Sequence, residues 1–198
     1  WEDVEQEMKE GMSEETALQE YMCSFDRGIE VSYYSKLLMK MHEEERIVKI
    51  PYDPYKLVHT AWDLGWDDST AIIFFQINNN YVNIIDCEEN STKTLEWYKN
   101  LLDGKKYKYG THLFPHDVNT NDGIGSGCTR KEILTDLGIE VTPIDKTFIS
   151  DGIESVKVLM SSSLMINSEK CGPLIKAVDH YHRKWDEKRK VYSDKPFH

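Results

Sequence analysis

The chain has 198 residues, is 39% hydrophobic and carries a formal net charge of −11. That is enough apolar material for one core-bearing domain plus an appendage, whereas no apolar run approaches the roughly 18 residues of a membrane span and the start, Trp1-Glu2-Asp3, is unlike a signal peptide. The acidity argues against an affinity built on broad phosphate neutralisation, and Cys23, Cys87, Cys128 and Cys171 form no CxxC pair, which argues against a zinc site and a compact disulfide framework.

Residues 1–54 are rich in Glu and Met and read as a helical linker. Ser13 is placed to cap a helix that runs through Glu14, Glu15 and Thr16 towards Leu18 and Tyr21, and a second helical stretch spans Tyr33 to Glu45. Pro51-Tyr52-Asp53-Pro54 breaks the pattern, so the core domain is expected over 55–198. Strands are predicted at 57–63, 70–77 and 81–88, the last two joined by an Asn78-Asn79-Asn80 turn. Leu95 to Leu102 suggests a helix, and His112-Leu113-Phe114-Pro115-His116 a short strand leading to Asp117. A Gly/Asn loop follows over 118–127. Thr129 is placed to cap a helix through Leu137, Ile139 to Ile144 reads as a strand, Asp151 as the cap of a helix over Ile153 to Met160, and Gly172 to Arg189 as a final helix. A three-strand meander followed by helix and strand in alternation implies an α/β fold with a mixed central sheet flanked by helices.

Two acids stand out. Asp63 ends an apolar strand just before the tight turn Leu64-Gly65-Trp66-Asp67-Asp68, on the strand side, where a carboxylate is disfavoured and needs a partner such as a cation; Asp67 and Asp68 read as turn residues. Asp117 stands at the end of another short strand. Were the two strands neighbours, both carboxylates would meet at one edge and raise each other's pKa unless a divalent ion neutralised them. Mg²⁺ or Mn²⁺ suits such oxygen donors, and two ions ~4 Å apart suit in-line phosphodiester cleavage. Glu88, beside Asp86 and Glu89, is open to a role at the metal edge, although a strand-end acid facing water is the commoner outcome. Arg130 and Lys131, on a helix start after Gly123, Gly125 and Gly127, are candidate contacts for DNA phosphates, the loop serving equally well as a plain connector. Lys184, Lys188, Arg189 and Lys190 complement a helix C-terminus, and Trp97, Tyr181 and Trp185 read as core packing.

Four pieces in order, Glu20-Tyr21-Met22-Cys23-Ser24-Phe25, Trp62-Asp63-Leu64-Gly65 with Asp68-Ser69-Thr70, Pro115-His116-Asp117, and Asp194-Lys195-Pro196-Phe197-His198, resemble the C-terminal part of the large terminase subunit of tailed bacteriophages. The resemblance implies a ribonuclease H-like nuclease domain that cuts concatemeric viral DNA during head packaging in the host cytoplasm. It makes Asp63 and Asp117 metal ligands and catalytic residues, Mg²⁺ or Mn²⁺ the cofactor, double-stranded DNA the substrate, and the portal protein and small terminase subunit the partners of the full-length protein. Residues 1–54 become the tail of an ATPase motor whose GxxxxGK[ST] loop does not occur in this stretch. The family's third acid lies in a helix just past a His-Asp-Trp-like segment whose first residue matches His198, so the third ligand is expected beyond His198, and this stretch alone is expected to bind metal weakly and cleave little. Other readings stay open: a ribonuclease H-like resolvase or transposase, a portal or small-terminase docking module without activity, or an actin-like ATPase, since Asp-Leu-Gly followed by Ser-Thr also suits a phosphate hairpin.

Overall fold

The computed structural model describes residues 31–65, 69–120, 127–186 and 189–197. The helix expected from Ser13, the turn residues Asp67 and Asp68, and most of the Gly/Asn loop lie outside them. Helix α1 (Ser35–Glu43) opens the described chain. It falls within the Tyr33 to Glu45 stretch expected to be helical.

Lys40–Ile175 forms one compact unit, built on a seven-stranded sheet. In chain order its strands are β1 (Ile47–Val48), β2 (Val58–Asp63), β3 (Thr70–Asn78), β4 (Tyr81–Asn90), β5 (Tyr109–Phe114), β6 (Val141–Pro143) and β7 (Leu164–Asn167). Across the sheet they run β1-β7-β4-β3-β2-β5-β6. The β2-β3-β4 meander is antiparallel, and β1, β5, β6 and β7 join by parallel pairings. The mixed sheet expected from the sequence is borne out.

Strict alternation sets which side chains go inward. Val58, Thr60 and Trp62 of β2 and Thr70, Ile72, Phe74 and Gln76 of β3 are buried, and the residues between them are not. Asn79 takes a φ of 54° in the β3–β4 turn, a conformation Asn tolerates better than most residues. Helix α2 (Leu95–Lys105), capped by the Thr94 side chain, contributes Tyr98 and Leu102 to the same core. Helix α3 (Arg130–Asp136) contributes Leu134.

Several expectations need correction. The sheet begins ahead of residue 55, because Ile47 and Val48 pair with Ile166 and Asn167; two residues are too few to show a period. Helix α4 spans Ile149–Ser162 and starts after Phe148, so Asp151 lies in its first turn and is not its cap. β7 follows it directly, a strand the sequence analysis missed because Leu164–Asn167 is short and buried. Helix α5 (Gly172–His180) stops well before Arg189.

Among the described residues outside this unit, β8 (Arg183–Asp186) and β9 (Val191–Pro196) form an antiparallel hairpin where the end of a helix was expected. The chain turns because the Asp186 side chain accepts the Arg189 N–H at 3.1 Å, the Asp186 carbonyl accepts that of Lys190 at 2.8 Å, and Lys190 takes a φ of 53°. Trp185 and Tyr192 therefore meet across the strands, rings 4.8 Å apart and partly exposed, and Trp185 is not a core residue. Tyr181 stacks on Tyr34 at 5.7 Å. Trp97, by contrast, does pack against the core of the sheet unit.

Candidate functional site

The site is built where β2 and β5 end. These strands are parallel neighbours, with Thr60 level with His112 and Ala61 with Leu113. Counting on, Asp63 stands level with Pro115, and Asp117 follows two residues later in a 3₁₀ turn, His116–Asn119, entered through the extended Pro115. With strands ~4.8 Å apart, the condition posed by the sequence is met: both acids leave the sheet at one edge, from adjacent strands.

Each acid is fixed by the residue after it. Leu64 and Val118 are both buried in the sheet unit's core cluster. Asp63 is consequently held at the surface while its neighbour is anchored inside. The Asp117 backbone is pinned as well, since its carbonyl accepts the Thr120 N–H at 2.8 Å and the Thr120 hydroxyl at 2.6 Å. Its side chain is in a different state: Oδ1 is buried and has no hydrogen-bond partner among the described residues. A buried carboxylate oxygen left alone is costly.

The register of β2 and β5 is held by a buried polar chain that no sequence motif announced. Trp62 Nε1–H donates to Thr60 Oγ1 at 2.7 Å, and Thr60 Oγ1 lies 2.7 Å from His112 Nδ1 across the strand pair. With its acceptor site taken by Trp62, the Thr60 hydroxyl is free to donate to Nδ1 of a neutral His112 that keeps its proton on Nε2. Burial pushes the His112 imidazole below its ordinary pKa, against a smaller opposing effect of Glu140, and His59 adds a further small lowering. The available signal was a Thr on the inward face of an apolar strand, since a buried hydroxyl requires a partner.

Arg130 and Lys131 separate in role. Thr129 and Glu132 close a capping box, the Thr129 hydroxyl accepting the Glu132 N–H at 3.1 Å and the Glu132 carboxylate accepting the Thr129 N–H at 2.7 Å, so α3 starts at a fixed point. From there the Arg130 guanidinium donates to the Leu64 carbonyl at 3.2 Å, while Lys131 is exposed. Arg130 thus faces the protein beside Asp63.

Glu88 belongs elsewhere. It is level with Ile72, in the row of Trp62, whereas Asp63, Ala71 and Glu89 form the next row, on the opposite face. Lys105 Nζ donates to Glu88 at 2.7 Å and to the buried Asp86 at 2.9 Å, and Tyr107 donates its hydroxyl to Asp86 at 2.9 Å. Burial works against the Lys105 ammonium, but the bonds to Glu88 and Asp86 outweigh it and raise its pKa. Glu89 accepts the Ser69 hydroxyl at 2.7 Å. His116 is exposed.

Two carboxylates at neighbouring strand ends, one with an unsatisfied buried oxygen, fit a hard divalent cation. Among the described residues no three His, Cys, Asp or Glu side chains form a metal-binding group, and no helix is long and apolar enough to cross a membrane.

No family model matches the chain, and no curated protein matches it significantly. Solved structures do. The large terminase from a thermophilic bacteriophage, in its complex with ATP-gamma-S, aligns with 81% of this chain at 19% identity and a TM-score of 0.63. This chain spans 41% of that protein. The P22 large terminase nuclease domain aligns over 77% of this chain and 81% of its own, at 20% identity and a TM-score of 0.57. The large terminase nuclease from the thermophilic phage G20c with bound magnesium aligns over 80% and 84%, at 16% identity and a TM-score of 0.53. The resemblance drawn from the ordered motifs is thus matched in three dimensions, and the chain has the ribonuclease H-like fold of the nuclease domains of phage large terminases.

Proposed function

We propose that this chain carries the nuclease domain of a phage large terminase, a metal-dependent DNA endonuclease that cuts concatemeric viral DNA during genome packaging in the host cytoplasm. The observation that carries the reading is the pair of carboxylates at the ends of β2 and β5, together with an Asp117 oxygen that no described protein group satisfies. Nuclease domains of the same fold with magnesium and with cobalt bound support a divalent ion. In this reading Asp63 and Asp117 hold Mg²⁺ or Mn²⁺ within a two-metal-ion site. The bound ions neutralise the two carboxylates and supply Lewis acidity for phosphodiester hydrolysis.

The protein's own contribution is placement. Leu64 and Val118 anchor the acids from within the core, and the Thr60–His112 bond fixes their strands in register. Lys131 offers an exposed cation to a DNA phosphate. Partners of the full-length protein would be the portal protein and the small terminase subunit.

The test is nicking of supercoiled plasmid with Mn²⁺ by the full protein, alongside Asp63→Ala and Asp117→Ala. Each variant is expected to lose activity by on the order of a hundred-fold or more. Equal activity of parent and variants would sink the metal-site reading. Inactivity of the parent would favour a docking module.

A further inference from the structure

The carboxylates of the proposed metal site lie beyond the last rung that ties their strands together. The β2–β5 pairing reaches Ala61 and Leu113, while Asp63 is two residues past that rung and Asp117 four. Backbone pairing across this gap does not set the separation of the acids, yet a cation site requires its ligands to be held to within ~0.5 Å.

Arg130 bonds to both acid-bearing segments. Its guanidinium donates through Nη1 to the carbonyl of Leu64, next to Asp63, at 3.2 Å. Its backbone N–H donates to the carbonyl of Thr120 at 3.3 Å, and Thr120 closes the turn that carries Asp117. Arg130 is the first residue of α3, where a backbone N–H has no partner within the helix and can be used this way. The capping box fixes that helix start, and Leu134 anchors the helix in the same core cluster as Leu64 and Val118.

We infer that Arg130 is a positioning residue, a clasp that replaces the missing ladder rung and sets the spacing of Asp63 and Asp117 for the divalent cation; this rests on the metal-site reading above. It acts through the carboxylates rather than on the DNA. Arg suits the task because its long stem crosses from the helix to the strand end and its charge does not titrate.

The experiment uses the full protein with three readouts: calorimetric titration with MnCl₂, steady-state nicking of plasmid, and the Tm without metal. Arg130→Met keeps the aliphatic stem and removes the donors. It is expected to weaken Mn²⁺ binding by about ten-fold and to lower kcat, with KM for DNA changed by less than about two-fold. Arg130→Lys keeps one long donor and is expected to recover most of the Mn²⁺ affinity, which a general loss of folding would not allow. A raised KM with unchanged Mn²⁺ affinity in Arg130→Met would overturn the clasp and make Arg130 a phosphate contact. Asp63→Asn and Asp117→Asn separate the two levels of the inference. If they lose Mn²⁺ while Arg130→Met retains it, the clasp alone falls; if they bind Mn²⁺ as tightly as the parent, the metal site falls and the clasp with it.

Discussion

Asp117 carries a buried carboxylate oxygen that costs the fold stability. Its carbonyl is doubly bonded and its neighbour Val118 is fully buried, yet Oδ1 is enclosed without a partner among the described residues. The unfolded chain hydrates that oxygen, so the metal-free native state bears the cost of its desolvation, on the order of 1–3 kcal/mol. Asp117→Asn removes the charge and is expected to raise the Tm of the metal-free protein by about 2–4 °C while abolishing any further rise on adding Mn²⁺. Thermal scans with and without MnCl₂ check this. A lower Tm in the metal-free variant would mean that the carboxylate already contributes a stabilising contact.

At the scale of elements, the important fact is that β2 and β5 are neighbours in one register. Their side-chain lock depends on a neutral His112, whose folded pKa is depressed chiefly by burial. Because the unfolded imidazole takes up a proton first, at about pH 6.5, the lock's contribution is present above that pH and is lost as pH falls through and below it. Chemical denaturation at pH 7.5 and at pH 5.5 should show the parent losing more stability than His112→Asn. Equal losses would mean that His112 does not titrate in this window. The elements legible in the sequence were those with long alternation, β2, β3 and β4, together with α2 and the Thr129-capped α3. Short elements gave no period to read, hence the missed β1 and β7. The β8–β9 hairpin was hidden because its Lys, Arg and Glu residues favour a helix locally, while the turn at Asp186–Lys190 depends on particular hydrogen bonds.

For the whole molecule, the proposed nuclease function has to work with a net charge of −11. With Arg130 donating to the Leu64 carbonyl and Lys105 committed to Asp86 and Glu88, the proposed function calls for attraction that is local and assisted by divalent cations. Duplex binding is expected to need Mg²⁺ or Mn²⁺ and to show a shallow dependence on monovalent salt. A log–log slope no steeper than about −3 follows from few phosphate contacts at ~0.9 each. Fluorescence anisotropy of a labelled duplex across a KCl series measures it. A steep slope, or tight binding in EDTA, would point to a basic surface that the charge distribution does not suggest.

The sequence by itself determined the strand alternation of the meander, the Thr129 cap of α3, and two acids at the ends of apolar strands. These are local properties, written in residues a few positions apart. The tertiary structure decided that β2 and β5 are adjacent, that Glu88 faces the other side of the sheet with Lys105, and that Arg130 reaches the Leu64 carbonyl. Each of these depends on pairings between residues far apart in the chain, which no local pattern encodes. The two acids become a candidate site only because the strand order brings their ends together.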